Sequence, residues 1–163
     1  LTGQSTIAKT SAEVIEVHLD PPDPPASPSV LEAIETSDVL VLGPGSWFTS
    51  VMPHLLVPQI VEAIMDSDAL KILTLNVAGA DETNGFSPAR HLEVLAEHEP
   101  RIRFDVVLAD RSFARSDPHL GTFARNLGAR IVEADLAMHD GSARHDPLRL
   151  ASAYAEVMGV HIR

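Results

Sequence analysis

The sequence predicts an α/β fold: a three-layer, Rossmann-like, mostly parallel sheet with helices on both faces. Two observations carry that prediction. Short apolar runs of strand length alternate with amphipathic stretches of helix length. The run Asp38-Val39-Leu40-Val41-Leu42 is almost wholly branched and apolar, as a strand buried on both faces must be. It leads straight into Gly43-Pro44-Gly45-Ser46-Trp47-Phe48-Thr49-Ser50, the most informative stretch of the chain. In sheets of this kind ligands sit beyond the carboxyl ends of the strands.

Taken in order, residues 4–8 and 13–19, with Val14, Ile15, Val17 and Leu19, read as two short strands. Pro21-Pro22-Asp23-Pro24-Pro25 then admits no regular element. From Ser29, Val30, Leu31, Ala33 and Ile34 recur at helical spacing, so a helix runs to about Ser37, ahead of strand 38–42. The apolar stretch 51–57, interrupted by Pro53 and followed by Pro58, reads as an irregular turn. Pro58 opens a helix whose buried face is Ile60, Val61, Ile64 and Met65. Strand 71–77 precedes a polar loop from Gly79 to Gly85. Ser87 and Pro88 are the N-cap and first turn of a helix to about His98. Strand 104–109, helix 117–127, strand 130–134 and a helix over 147–158 complete the pattern.

With 163 residues, 45% of them apolar and 21% charged, the chain reads as a single domain over 1–163 with a substantial core. It has no cysteine, which excludes disulfides, thiolate catalysis and zinc–thiolate sites together. No apolar run approaches the roughly 20 residues that cross a bilayer, and no signal peptide is apparent, so a cytoplasmic soluble domain without membrane insertion is expected. The net charge of −11 argues against nucleic acid as a partner, because a polyanion needs a basic face. The twelve basic residues are scattered, so phosphate binding is expected to be local, through backbone amides and one or two arginines. The chain starts at Leu1 and opens on what reads as the middle of a sheet. It is expected to be part of a longer protein, with a site shared between two halves.

Three loops compete for that site: 43–50, 78–86 and 110–118. In the first, glycines at 43 and 45 allow close approach to the main chain, so that N–H groups can point at phosphate oxygens. Ser46, Thr49 and Ser50 add hydroxyls. Trp47 and Phe48, adjacent in a chain with seven aromatics, suggest a surface on which a base or sugar stacks. Ser46 lacks the second glycine of a G-x-S-x-G elbow and reads as a donor rather than a nucleophile. Arg90, Arg111 and Arg115 are candidates for a diphosphate clamp, against a default of surface salt bridges. His139-Asp140 and His145-Asp146 invite a metal reading. The preferred account is that Asp146 caps a helix with Pro147 at its first position, and no metal is expected. His54 and His91 read as structural. Met52, Leu55 and Leu56 are apolar residues through which a homodimer would pack.

The string Gly43-Pro44-Gly45-Ser46-x-x-Thr49-Ser50-Val51-x-Pro53-x-Leu55-Leu56-Val57, followed by Asn76, Glu82-Thr83 and a helix containing His91-Leu92, resembles the gluconeogenesis-factor (YvcK-like) family. That family is related in fold to 2-phospho-L-lactate transferase (CofD). The likeness extends from Gln4 to His145-Asp146-Pro147. It implies a nucleotide-sugar-binding regulatory protein of carbon metabolism and of cell-envelope and cell-shape control, of which this chain is the C-terminal half. It implies UDP-N-acetylglucosamine or an NAD-like dinucleotide as bound ligand, no required cofactor, and the N-terminal half of the same protein as partner. Carried over by position, Gly43, Pro44, Gly45, Ser46, Trp47, Phe48, Thr49 and Ser50 meet the diphosphate and sugar, with Asn76, Glu82 and Thr83 completing the set. Where the family has leucine-tyrosine this chain has Trp47-Phe48. Its 78–83 segment reads Ala-Gly-Ala-Asp-Glu-Thr in place of Thr-Gln-x-Gly-Glu-Thr. The competing reading is a 2-phospho-L-lactate transferase of deazaflavin cofactor biosynthesis. That branch tends to read Pro-Ser-Asn where this chain has Pro-Gly-Ser, and the carboxylates nearest the loop, Asp38 and Glu62, lie at the wrong end of the strand and on the following helix.

Overall fold

Four strands, all parallel, form the sheet of the computed structural model: β1 (Val39–Leu42), β2 (Leu70–Thr74), β3 (Val106–Asp110) and β4 (Arg130–Ala134), hydrogen-bonded in the order β1-β2-β3-β4. The structure describes residues 2–7, 10, 14, 17–79 and 81–161, with the side chains of 5, 160 and 161 outside the description. The helices are α1 (Gln4–Ile7), α2 (Pro28–Thr36), α3 (Met52–Leu55), α4 (Pro58–Asp66), α5 (Pro88–His98), α6 (Arg111–Arg115), α7 (Leu120–Asn126) and α8 (Pro147–His161). A π-helical turn spans Trp47–Val51 and a 3-10 turn spans Asp81–Thr83. Val39 pairs with Leu70, Ile72 with Val106, and Val106 with Arg130. Each helical crossover therefore lands beside the strand it left, the commonest way for a chain to build a sheet.

Successive strand residues face opposite ways, so the sheet has two cores. On one face Leu73, Val107 and Ala109 pack with Trp47, Met52, Leu92, Leu95 and Leu127 of the crossovers. On the other, Ile72, Val106 and Leu108 pack with Leu136 and with Ala153 and Val157 of α8. Thr74 Oγ1 and Tyr154 Oη, 2.8 Å apart, tie α8 to β2. All five residues of β3 are buried, whereas β1 is half-exposed and Val41 stands 47% open. The expected α/β sheet with helices on both faces is thus the observed architecture.

Several elements match closely. Ser87 caps α5, its hydroxyl accepting from Arg90 N at 3.2 Å, and Pro88 follows at the first helical position. Asp146 caps α8 by accepting from Leu148 N and Arg149 N at 2.9 and 3.1 Å. Others need correction. Gln4–Ile7 is a helical turn rather than a strand, with Thr6 N and Ile7 N both donating to Gly3 O; Ala8 lies outside the described residues. Of 13–19, residues 13, 15 and 16 lie outside the described residues, and Val14, Val17, His18 and Leu19 take no strand. Val17 is instead buried from an irregular segment, which alternation of apolar residues alone does not distinguish from a strand. The supposed irregular turn at 51–57 holds the π-helical turn's end and α3, because Pro53 falls in a first turn where its missing N–H is not needed. Met52 and Leu55 are buried in the chain's own core. β2 stops at Thr74 rather than Val77, and the single helix expected over 117–127 begins only at Leu120. A separate helix, α6, lies before it and was not foreseen.

Among the described residues no single helix is long and apolar enough to cross a membrane. Because the strands are parallel, the loops after β1, β2, β3 and β4 all emerge on one edge. Asp110 organises that edge. Its carboxylate is 3% exposed, and Oδ1 accepts from Ser112 N and Phe113 N at 2.9 and 3.3 Å, capping α6. Oδ2 accepts from Leu136 N and Ala137 N at 2.9 and 3.1 Å, fastening the segment after β4 to the end of β3. Asp110→Ala removes a cap and strands buried N–H groups, so it should lower unfolding stability by about 3 kcal/mol, read as a shift in urea midpoint.

Candidate functional site

The loop after β1 is fastened from two sides. Gly43 leaves the strand at φ +75°, and a Cβ there would sit 2.5 Å from the Thr74 carbonyl oxygen, so the close passage of the loop over β2 requires glycine. Asn76, just past β2, grips the next glycine at both main-chain groups: Gly45 N donates to Oδ1 at 3.2 Å and Nδ2 donates to Gly45 O at 3.0 Å. Glu82, on the 3-10 turn and 6% exposed, accepts from Ser46 Oγ at 2.7 Å and from Trp47 N at 2.9 Å through the same Oε1. Ser46 Oγ and Thr49 Oγ1 are 2.5 Å apart. Glu82 thus places a carboxylate at the start of the helical segment from Trp47, where the unpaired N–H groups favour negative charge. The turn carrying Glu82 is itself tightly folded: a Cβ on Gly79 would meet Thr83 O at 2.6 Å and Phe86 O at 2.8 Å.

The structure therefore brings together Gly43 to Ser50, Asn76 and Glu82, and it assigns the last two to holding the loop. Pro44 and Ser50 are exposed, and Gly45 and Ser46 are half-buried, so these form the outward surface. Trp47, Phe48, Thr49 and Thr83 are buried. The picture of Trp47 and Phe48 as a stacking surface at a loop tip is corrected accordingly. The indole is fully buried and Phe48 is 3% exposed, because the chain turns inward into the π-helical turn and spends both aromatics on its core. The expectation of consecutive N–H groups aimed outward also changes, since those of Gly45 and Trp47 are engaged internally.

Around the loop, the clamp candidates separate. Arg90 pairs with Glu93 at 2.7 Å and Glu97 at 3.3 Å, and lies over the Phe86 ring. Arg115 pairs with Glu133 at 2.8 Å. Arg111, exposed at the end of β3, has no ion-pair partner among the described residues. His54 is exposed, with Nδ1 3.3 Å from Val51 O. The two histidine–aspartate pairs do not converge. His139 faces Asp135 and Arg149, Asp140 holds Ser142 and Arg144, and Asp146 caps α8. Among the described residues no three His, Asp or Glu side chains are placed to hold a metal ion. Burial lowers the pKa of the half-buried His145 imidazole, with the Leu75 backbone and Asp110 opposing that shift. Asp110 was not singled out from sequence, although a carboxylate ending an apolar run one residue before Arg111-Ser112 is a recognisable cap signal.

Residues 1–146 match the family model described as 2-phospho-L-lactate transferase CofD. The chain belongs to this CofD family. Its CofD-family relatives include a putative gluconeogenesis factor of Mycobacterium leprae, 43% identical over 157 residues, covering 94% of this chain and 44% of that protein. Another, from a Nostoc species, is 34% identical over 176 residues, covering 98% of this chain and 39% of that protein. A crystal structure of a protein from Bacillus halodurans superimposes with a TM-score of 0.76 at 31% identity, over 94% of this chain and 54% of that one. The chain spans less than half the length of these curated relatives. Both the CofD-type match and the gluconeogenesis-factor relatives agree with the resemblance read from the Gly43 string.

Replacing Glu82 by alanine leaves the buried Trp47 N–H and the Ser46 hydroxyl without their acceptor. Amide exchange at Trp47 should accelerate by about tenfold to a hundredfold, the equivalent of about 1.4–2.7 kcal/mol of lost local protection. Glu82→Gln, which keeps an acceptor oxygen, should lie between that variant and the parent.

Proposed function

We propose that this CofD-family chain is the ligand-binding part of a regulatory protein of gluconeogenesis-factor type. Its ligand is a nucleotide sugar of the UDP-N-acetylglucosamine class, with an NAD-like dinucleotide as a second candidate, and its signal bears on carbon metabolism and cell-envelope shape. The observation that carries this reading is the Gly43–Ser50 loop, held ready by Asn76 and Glu82 at the carboxyl edge of a parallel sheet. A loop fixed before ligand arrives loses little entropy on binding. Gly45, Ser46 and Ser50 supply small polar groups there, and Arg111 follows the end of β3 on the same edge of the sheet. The remaining half of a longer protein is the partner that completes the site, and a cytoplasmic location belongs to the same proposal.

The transferase reading draws on the family's description. Metal-assisted transfer to an acceptor calls for carboxylates free to face a diphosphate. Here Glu82 and Asp110, the buried carboxylates of this edge, are committed to hydroxyl and backbone N–H donors. Asp38 and Glu62 line a groove at the opposite end of the strands with Glu35, Asp66 and Asp68. The donor set thus supports binding over transfer.

The test is calorimetric titration of UDP-N-acetylglucosamine, with GDP and NAD as comparators, into this chain and into its full-length parent. Saturable UDP-sugar binding without turnover is expected. Preference for GDP, or Mg²⁺-dependent consumption of a donor, would favour the transferase instead. Gly45→Val should abolish binding while preserving helix content by circular dichroism, since even a Cβ at Gly45 approaches Ser50 Cβ to 3.2 Å. Unchanged affinity in that variant would remove the loop from the site.

A further inference from the structure

Beneath the three loops of the carboxyl edge lies one fully buried imidazole. His91, on the first turns of α5, is 0% exposed. Its ring meets three aromatic rings edge-on: Trp47 of the 43–50 loop at 5.0 Å, Phe86 of the 78–86 loop at 5.4 Å and Phe113 of the 110–118 segment at 5.8 Å between centroids. The interplanar angles of 86°, 78° and 84° are those of edge-to-face packing. Among the described residues no other side chain makes ring contacts with all three loops. A leucine would fill the volume, but it would carry neither the ring nor the nitrogen atoms.

Those atoms matter. Nδ1 lies 2.8 Å from the Ser87 carbonyl, which only accepts, so Nδ1 carries the proton and Nε2 presents a lone pair. Nε2 is buried without a partner among the described residues, and so is the Trp47 indole N–H. One could accept and the other could donate, but the two rings that carry them meet edge-on without a hydrogen bond between those atoms. Such pairs of unsatisfied buried atoms are rare in folded chains and call for an explanation.

We propose that His91 is a positioning residue of the ligand site: a neutral imidazole that holds Trp47 by edge-to-face ring packing, and through Trp47 sets the 43–50 loop relative to the other two. Ligand contact at one loop is transmitted to the others through this ring. Protonating His91 would bury a charge whose Nε2 N–H has no acceptor among the described residues, and would release the loop. The role of the loop as a ligand site rests on the reading proposed above, whereas the hold on Trp47 does not.

Burial pushes the imidazole below its ordinary value, with the Ser87 carbonyl opposing. The elements packed against it carry Arg90 on α5, Glu82 on the turn behind Trp47, and Arg111 and Arg115 on α6, with Asp117 bonded to the Ser87 side chain and the Ala89 backbone. The sign follows from linkage. Below about pH 6.5 the unfolded chain takes up a proton that the folded chain resists, so this contribution to stability is present above that pH and is lost as pH falls.

Trp47 is the chain's one tryptophan and reports directly on the contact. Its emission, followed from pH 8 to pH 5 with far-UV circular dichroism in parallel, should change with a midpoint below that of a free imidazole while helix content holds. His91→Phe keeps the ring and cannot titrate, so it should lack the transition. The same transition in His91→Phe, or none in the parent, overturns the proposal. At pH 7.5, His91→Ala should weaken UDP-N-acetylglucosamine binding about tenfold, and His91→Phe by less. Leu95→Ala, one turn further along α5 and equally buried, controls for simple loss of packing. An equal affinity loss there would reduce His91 to core filling. Failure of the parent to bind the UDP-sugar would overturn the ligand reading alone and leave the fluorescence result to decide the hold on Trp47.

Discussion

The carboxylate of Glu82 accepts from Ser46 Oγ and Trp47 N almost out of reach of water, and the edge of the sheet is arranged around that contact. A buried charge is tolerable only when donors surround it. Here the donors come from the loop after β1, so the cost of burying the charge is offset only while the loop keeps its shape. Asn76 does the same for Gly45 with both halves of its amide. Asp110 repeats the device at β3, with four N–H groups. Three polar side chains at the carboxyl edge of the sheet thereby convert flexible connections into fixed ones.

This arrangement explains which parts of the molecule were legible in the sequence. Strands β1, β3 and β4 announce themselves through Val39 to Leu42, Val106 to Ala109 and Ile131-Val132. Helices α5 and α8 announce themselves through local caps at Ser87-Pro88 and Asp146-Pro147. All of these are short-range signals. The candidate site was legible as a list of residues but not as a set of roles. Asn76 and Glu82 were read as ligand contacts, and their loop-holding bonds join residues 31 to 36 positions apart, which become neighbours only once parallel strands are aligned. The burial of Trp47 depends in the same way on His91 and Phe86 being brought beneath it. At the N-terminus the failure was of another kind. An alternation of apolar residues records burial on alternate sides and says nothing about whether a partner strand is available, so Val17 is buried without a strand.

The placement of the candidate site relative to the fold follows. The apolar cores on the two faces would be satisfied by many sequences of similar volume. What is particular to this CofD-family chain is concentrated on one edge, where Gly43 passes within 2.5 Å of a strand carbonyl if given a Cβ, and where small polar residues are left facing outward. A loop held in this way by buried side chains gains rigidity but depends on each of its supports.

The strictly sequential strand order also bears on how the chain comes off the ribosome. Each of β2, β3 and β4 pairs with the strand made just before it, so the sheet and its first face can assemble while synthesis proceeds, with few distant contacts to wait for. The second face is different. Ile72, Val106 and Leu108 find their cover in Ala153 and Val157, on α8, which is made after all four strands. Until that helix emerges, a nascent chain whose four strands have paired shows the ribosome's surroundings a bare apolar wall, and truncation before residue 153 removes the helix that covers it.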